Sequence, residues 1–408
     1  MRYDVGRFRR PMRRGAMEQM VSLISLGDGS TLSLDFTAMS SLDSRFTFTR
    51  SSTTSTYINS SGLLTTAGTN VPRFDYNPNT LAPRGLLIES SAINLCLNGS
   101  MAFTSVQPTS YTRAFSQCTV ASVSSTTFPG QLAWSISATA IGQRDFLEQI
   151  IALAANTTYT VSAYVEAITG TVATFAYMTA LPSGASSNTV INPSAGRISF
   201  TVTVGATAGN GTLRIGIGTA AGTGVSADAS VRFSHVQVEA GSGASSYIPT
   251  GASQVQRAAD DCLIDNISTA FGFNASAGTI LIRYGDRINT GSNRAYTFLP
   301  ASGSNNQMFE GSGIAFNVFA GGSFTAQIGS TAPSAGRVCA AYAANDFAVS
   351  VNGGAVATDT NGAVASSLTR VSLGGSAVNA AAYNFGPIAV FKYWPTRLPN
   401  ATLQSLTA

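Results

Sequence analysis

The amino-acid sequence predicts an all-β fold: a short N-terminal helix or anchor, a small β module, and two antiparallel β-sandwiches. Charged residues make up only 10% of the 408 residues, against roughly 25% in an ordinary soluble domain, which argues against long helices with charged faces. Short segments that alternate apolar and polar residues recur along the chain, and this is the period of a half-buried strand. Gly, Asn, Ser and Pro separate them, as turns require.

The chain begins with a basic tail. Residues 1–15 carry six Arg and one Asp, whereas the whole chain has a net charge of +4, so the remainder is slightly acidic. Guanidinium groups suit carboxylate or carbonyl clusters, and we interpret residues 1–30 as an anchor that binds another protein. Nucleic acid is a disfavoured partner, and a tail with no fixed partner is the other alternative. The candidate attachment residues are Arg2, Arg7, Arg9, Arg10, Arg13 and Arg14.

Elements follow in order along the chain. Residues 16–26 predict three helical turns that end at Gly27. Residues 31–95 predict the small β module, in which Pro72, Pro78 and Pro83 indicate an extended loop rather than a central strand.

The rest of the chain predicts two larger units. Residues 96–258 contain five segments of eight to eleven β-branched and aromatic residues, typical of a sandwich. Residues 259–408 contain further strand-like segments of this kind. They also carry a hairpin signal at Asn352-Gly353 and a predicted helical turn at 399–406. The small, polar stretch 241–261 between them is typical of a domain boundary.

Chemistry-bearing residues are sparse. The single His, His235, lies inside a strand pattern and has no nucleophile motif near it, and we interpret it as structural. The four cysteines are too widely spaced for a C-x-x-C motif and predict buried thiols. Carboxylates cluster only at Asp145 with Glu148, at Asp260 with Asp261, and at Asp286. We assign no catalytic residue and no metal site, and we read these carboxylates as solvated loop acids.

No cofactor is expected. Calcium remains an alternative because it needs only oxygen ligands, which Asn345, Asp346 and Asp359 offer. The first 26 residues lack a secretory cleavage pattern and no apolar run approaches 18 residues. We therefore expect a protein made in a cytoplasm, with no membrane partner.

Residues 32–95 resemble a segment of tailed-bacteriophage structural proteins. The shared features are a Phe-Thr-Arg strand, a Tyr-x-Asn-x-x-Gly-Leu turn, Pro-Arg-Phe-Asp-Tyr and Arg-Gly-Leu-Leu-Ile-Glu, in this order. Residues 230–260 resemble the end of a carbohydrate-binding-module-like jelly roll, with Ser234 where a Trp is expected. The last unit is similar to concanavalin-A-like or laminin-G-like sandwiches.

These resemblances imply a virion protein. The leading hypothesis is a non-enzymatic head or tail fibre or spike subunit, exposed on the particle, whose N-terminus binds portal, capsid or tail proteins. Its sandwiches would bind host-surface glycan, and the resemblance also implies a homotrimer. The alternatives are a tailspike-like polysaccharide depolymerase and a purely structural capsid decoration protein.

Glycan sites combine an aromatic face with amide or carboxylate groups, and they gather on loops. In the last unit the loops around Asn345-Asp346 and Tyr383-Asn384 offer this combination. Trp394 is a weaker candidate because a Trp at the end of a strand is more often part of the core.

Overall fold

Nearly all of the regular secondary structure of the described residues is antiparallel sheet, which confirms the all-β prediction. The structure, a computed structural model, describes residues 25–101, 110–187, 189–191, 193–218, 224–285, 287, 293–311, 313–329, 334–375 and 386–408. The predicted helix at 16–26 lies mostly outside these residues, and a 3-10 helix, Ser25–Asp28, begins the described chain.

Short strands follow this helix and continue throughout the described chain. Up to residue 94 they are β1 (Leu32–Asp35), β2 (Thr47–Thr49), β3 (Ser55–Ile58), β4 (Leu64–Ala67), β5 (Arg73–Tyr76), β6 (Pro83–Ile88) and β7 (Ala92–Asn94). Next come β8 (Thr112–Ala114), β9 (Thr119–Ser124), β10 (Leu132–Ser137), β11 (Asp145–Leu153), β12 (Thr158–Thr169), β13 (Thr174–Thr179), β14 (Ser186–Ser187), β15 (Val190–Ile191), β16 (Gly196–Thr203), β17 (Gly209–Gly218) and β18 (Ser230–Ala240).

The C-terminal part adds two short helices, α1 (Ile267–Phe271) and α2 (Asn400–Thr407). Helix α2 confirms the predicted C-terminal turn. The strands of this part are β19 (Val255–Arg257), β20 (Asp261–Asp265), β21 (Ala277–Tyr284), β22 (Arg294–Leu299), β23 (Gln307–Gly311), β24 (Phe316–Ala320), β25 (Ser323–Ile328), β26 (Gly336–Ala343), β27 (Phe347–Val351), β28 (Ala357–Asp359), β29 (Arg370–Leu373) and β30 (Gly386–Trp394).

Two of the sheets form one sandwich, here called the composite sandwich. Sheet A has the order β28-β27-β26-β21-β30-β6-β5, with β1 also paired to β30, and sheet B has the order β2-β20-β29-β22-β23-β24-β25. One apolar core joins them and includes Leu34, Ile88, Phe298 and Phe391. Alternation along the strands explains this arrangement, since every second side chain points to the same face.

The composite sandwich differs from the expected division at residue 95. Strands β1, β5 and β6 belong to sheet A and β2 pairs with β20 of sheet B, so residues 32–88 and 261–394 form one body. A strand of three to six residues cannot bury its apolar face alone. Because the partner strands lie far away in sequence, local patterns do not reveal this pairing.

The proline-containing stretch also differs from the expected loop. Residues 73–88 form the β5–β6 hairpin, which ends sheet A. Pro83 is the first residue of β6, a place where a missing backbone N–H is tolerated.

The intervening chain forms the middle sandwich. Its sheet C has the order β14-β16-β12-β18-β10-β9 and its sheet D the order β15-β13-β17-β11-β8. A second apolar core, with Trp134, Val161 and Ile215 among its members, fills the space between them. The chain leaves the composite sandwich through β7 and returns through β19, and these two strands pair side by side. The middle sandwich is thus inserted into the composite one.

Two local predictions agree with the structure. Asn352 and Gly353 both have left-handed backbones, with φ of 48° and 71°, as a tight hairpin turn requires. All four cysteines are free and buried, as predicted. Within the described residues, no helix has the length and apolar character needed to cross a membrane.

Candidate functional site

Several of the residues chosen from the sequence lie outside the described residues. They are the attachment candidates Arg2, Arg7, Arg9, Arg10, Arg13 and Arg14, the glycan candidates Tyr383 and Asn384, and Asp286.

Asn345 and Asp346 form a tight turn rather than an open loop. Asn345 has a φ of 58°, and its side-chain oxygen accepts a hydrogen bond from the backbone N–H of Gly362 at 3.0 Å. Asp346 is exposed, and Arg397 donates to its carboxylate at 2.8 Å. The calcium candidate Asp359 accepts from the backbone of Asn361. Among the described residues, no three His, Cys, Asp or Glu residues are grouped to hold a metal.

Trp394 is not an exposed aromatic platform. Its ring is 2% exposed and packs with Leu281, Cys339 and Leu403. The indole Nε1–H donates to the backbone oxygen of Asp28 at 3.0 Å. Helix α2 and the start of the described chain both cover this part of the outer face of sheet A, so Trp394 is not accessible to a ligand.

His235 and Ser234 are also interior. His235 is 1% exposed and lies between the rings of Phe128 and Tyr247, with centroid distances of 4.4 and 4.7 Å. Burial, with a smaller effect of Arg197, lowers the pKa of His235 to about 3. The hydroxyl of Ser234, at the position where a Trp was expected, donates to a Glu166 oxygen at 2.8 Å.

The described carboxylate pairs are not solvated loop acids. Asp145 is fully buried, and both Arg113 and the backbone of Cys118 donate to it. Glu148 lies on the other face of β11 and binds Arg214. A strand separates the two groups, so they do not face one space.

Asp260 belongs to a buried ion cluster with Arg50, Arg73, Glu89 and Arg257, which we call the arginine–carboxylate junction. All five side chains are buried. Asp260 binds Arg50 at 3.0 Å and Arg73 at 2.5 Å. Glu89 binds Arg73 at 2.8 Å and Arg257 at 3.3 Å. Burial alone raises the pKa of Glu89, but Arg257 and Arg73 outweigh it and hold this pKa at about 2.

The junction connects segments that lie on either side of the middle sandwich in the sequence. Arg50, Arg73 and Glu89 come from the segments before the middle sandwich, and Arg257 and Asp260 from the stretch after it. Ser246, at the end of the middle sandwich, donates to Glu89 from its backbone and its hydroxyl at 2.7 and 2.6 Å. The stretch 241–261 is therefore tightly bonded to both sandwiches.

The outer face of sheet D carries an exposed aromatic and charged surface, which we call the Phe115 surface: Phe115, Arg144, Glu148, Tyr177 and Arg214. Phe115 is 39% exposed, and its φ of 74° is strained for a bulky residue. The guanidinium carbon of Arg144 lies 3.7 Å from the centroid of the Phe115 ring. Glu148, Arg214 and Tyr177 stand opposite one another on neighbouring strands.

Hydrogen bonds fix the polar groups of the Phe115 surface. Arg214 donates from Nε to Glu148 at 2.5 Å and from Nη1 to the Tyr177 hydroxyl at 2.9 Å. The buried ring of Phe146 meets Tyr177 edge to face at 5.5 Å. The two partly exposed rings and the charged row are thus held by the sheet, and together they can stack on a sugar ring and bond its hydroxyls.

A smaller aromatic surface lies on the outer edge of sheet B. Phe324 is 50% exposed and meets Phe319 at 5.1 Å. Beside them, Gln327 donates to the side-chain oxygen of Asn317 at 3.1 Å.

Sequence reasoning missed the Phe115 surface because its members come from three strands and two loops. The alternation in β13 shows that Tyr177 shares a face with Thr179, but only the strand register brings Arg214 and Glu148 beside it. The composition of these segments carries no such signal. A scan against protein-family models finds no match to this chain, and a search of curated proteins finds no significant match.

Proposed function

We propose that this protein is a non-enzymatic bacteriophage virion appendage, a head or tail fibre or spike subunit that binds host-surface glycan. The phage-like segments support the virion assignment. The Phe115 surface carries the glycan assignment, because it combines two partly exposed aromatic rings with charged groups that hydrogen bonds fix on a sheet face.

The chemistry of this surface suits a sugar chain. The rings of Phe115 and Tyr177 offer apolar faces for the C–H side of a sugar ring. Glu148 accepts hydrogen bonds from hydroxyl groups, and the two arginines donate hydrogen bonds to hydroxyl or carboxylate oxygens. The strain at Phe115 favours a functional explanation, since a strained backbone persists only where the surroundings enforce it.

The state of the carboxylates supports adhesion over the depolymerase alternative. A glycosidase needs two carboxylates about 5 to 10 Å apart on either side of one bond. Asp145 and Asp260 are buried in ion pairs, and Glu148 is bonded to Arg214.

Binding of host polysaccharide to the purified protein tests the proposal. We expect the double variant Phe115→Ala, Tyr177→Ala to bind at least about tenfold more weakly, since each lost stacking contact is worth on the order of 1 kcal/mol. The control is Ile141→Ala, which removes an 82% exposed apolar side chain from the same sandwich. Equal binding by both variants contradicts the proposal. Steady release of reducing sugar favours the depolymerase, and no binding by the wild type favours the decoration protein.

Attachment and assembly are separate parts of the proposal. Residues 1–30 attach the protein to other virion proteins and the subunit forms a homotrimer. A protein lacking residues 1–24, which keeps Asp28 and its bond to Trp394, is expected to fold and to be absent from purified particles. Light scattering of the full-length protein measures the subunit number, and a monomer contradicts the trimer.

A further inference from the structure

Arg214 lies at the centre of the Phe115 surface, between its two aromatic rings. The guanidinium carbon of Arg214 is 5.5 Å from the ring centroid of Phe115 and 5.7 Å from that of Tyr177. Strand pairing fixes this place, because Arg214 on β17 stands opposite Glu148 on β11 and Tyr177 on β13. A sugar ring that stacks on either aromatic ring therefore has its substituents within reach of Arg214.

Arg214 has donors that the fold does not use. A guanidinium carries five N–H donors. Arg214 donates from Nε to Glu148 and from Nη1 to the Tyr177 hydroxyl, and no described residue accepts a hydrogen bond from its Nη2. The side chain is 23% exposed, and Nη2 is accessible at the surface. These N–H groups are therefore available to a ligand.

The charges of the Phe115 surface favour an anion. The surface contains two guanidinium groups, those of Arg144 and Arg214, and one carboxylate, that of Glu148. The nearby Asp145 does not change this balance, because it is fully buried on the other face of β11 and bonded to Arg113. A planar guanidinium matches the two oxygens of a carboxylate, so a carboxylate is the anion that this surface fits best.

We propose that the Phe115 surface selects an acidic sugar, a uronic acid whose carboxylate accepts hydrogen bonds from Arg214. The inference rests on the proposed function, because it names the class of glycan that the same surface binds. The second carboxylate oxygen of Glu148, Oε2, accepts no hydrogen bond from the described residues, and it accepts one from a sugar hydroxyl. A neutral sugar lacks the charge-assisted bonds to Arg214, which are about twice as strong as neutral ones.

A comparison of acids with their methyl esters tests this selection on the wild-type protein. The probes are trigalacturonic acid and triglucuronic acid, each beside its methyl ester, which keeps the sugar rings and removes the charge. Isothermal titration calorimetry on the full-length protein measures the dissociation constants. We expect at least one acid to bind about tenfold more tightly than its ester. This preference should shrink as salt rises from about 50 to about 500 mM, because salt screens exposed charges.

The matched variants are Arg214→Gln and Arg197→Gln. Arg197 also belongs to the middle sandwich, lies 5.4 Å from the ring centroid of Tyr164 and donates to Ser162. We expect Arg214→Gln to bind acid and ester equally and Arg197→Gln to keep the preference. The double variant Glu148→Gln, Arg214→Gln keeps the net charge of the surface. It is also expected to lose the preference, which assigns the effect to the arginine and not to the overall charge.

Four results overturn the inference: the wild type binds acid and ester equally, neither acid binds, Arg214→Gln keeps the preference, or the Phe115→Ala, Tyr177→Ala variant binds the acid as the wild type does. If Arg214→Gln does not fold, the comparison of acid and ester on the wild type decides alone. Binding of host polysaccharide without an acid preference leaves the adhesion proposal standing and overturns only this inference.

Discussion

Replacing His235 is expected to remove a pH dependence from the stability of the middle sandwich. The imidazole is 1% exposed, with Nδ1 2.8 Å from Ser234 Oγ and Nε2 2.8 Å from Gln131 Oε1. Because Ser234 already donates to Glu166, a neutral ring donates from Nδ1 to Ser234 and accepts at Nε2 from the Gln131 amide, which then turns its NH2 toward the ring. Burial lowers its pKa from 6.5 to about 3. The unfolded chain therefore binds a proton below pH 6.5 that the folded chain does not, and stability falls as the pH falls through this window.

The size of this effect follows from the two pKa values. Between pH 7 and pH 5 the free energy of unfolding drops by about 1.9 kcal/mol if His235 stays neutral in the folded state. His235 is the single His of the chain, and ordinary carboxylates titrate mostly below pH 5. Burial raises the pKa values of Asp75 and Asp261, so these two groups increase stability as the pH falls. Both are present in the parent and in the His235 variant, and their effect cancels in the comparison.

Urea unfolding at pH 7 and pH 5 measures the effect. The comparison uses His235→Asn, because Asn tolerates the left-handed φ of 52° at this position. Both proteins carry Trp394→Phe, so that fluorescence reports only Trp134 in the core of the middle sandwich. An equal pH response of the two proteins refutes the reasoning. A parent that gains stability at pH 5 also refutes it, since His235 would then be a cation that donates from both nitrogens.

Three other changes test the architecture. Asp260→Asn leaves buried guanidinium groups without their charge partner and is expected to lower the free energy of unfolding by about 3 to 5 kcal/mol. The control is Asp265→Asn, which breaks an exposed ion pair. It should lower the free energy of unfolding by under about 1 kcal/mol in the same urea titration. A protein in which a short Gly-Ser linker replaces residues 96–254 should keep the β-sheet circular dichroism and cooperative melting of the composite sandwich, and a molten spectrum would contradict its independence. Trp394→Phe loses the hydrogen bond to Asp28 and should cost about 1 to 2 kcal/mol without weakening glycan binding; a loss of binding at an unchanged melting temperature would restore Trp394 as a glycan contact.

The sequence predicted strands far better than it predicted their partners. The alternation in residues 158–167 and 230–240 corresponds to β12 and β18, and both strands are long enough to show a clear period. The pairing of β1 and β6 with β30 connects residues about 300 to 360 positions apart, and no local period encodes such a contact. The expected division at residue 95 was wrong for this reason.

The candidate sites show the same limit. Asn345 was chosen as a polar loop residue, but a left-handed turn uses its side chain to bond Gly362. Arg50, Arg73 and Glu89 lie in residues 32–95, yet only the folded chain shows that their charges meet Asp260 and Arg257. The same polar residue types serve structural and functional roles, and their burial in the folded chain distinguishes the two.

The side-by-side pairing of β7 and β19 has a mechanical consequence. A pulling force applied to the two ends of the described chain passes through the composite sandwich, because the middle sandwich is attached at two adjacent points. No tension builds across the inserted body while the composite sandwich stays folded. Under load the composite sandwich must rupture first, and the inserted body unravels only afterwards. A force–extension curve would therefore show two ordered events, and a ligand held by the Phe115 surface would be shielded from tension until the second.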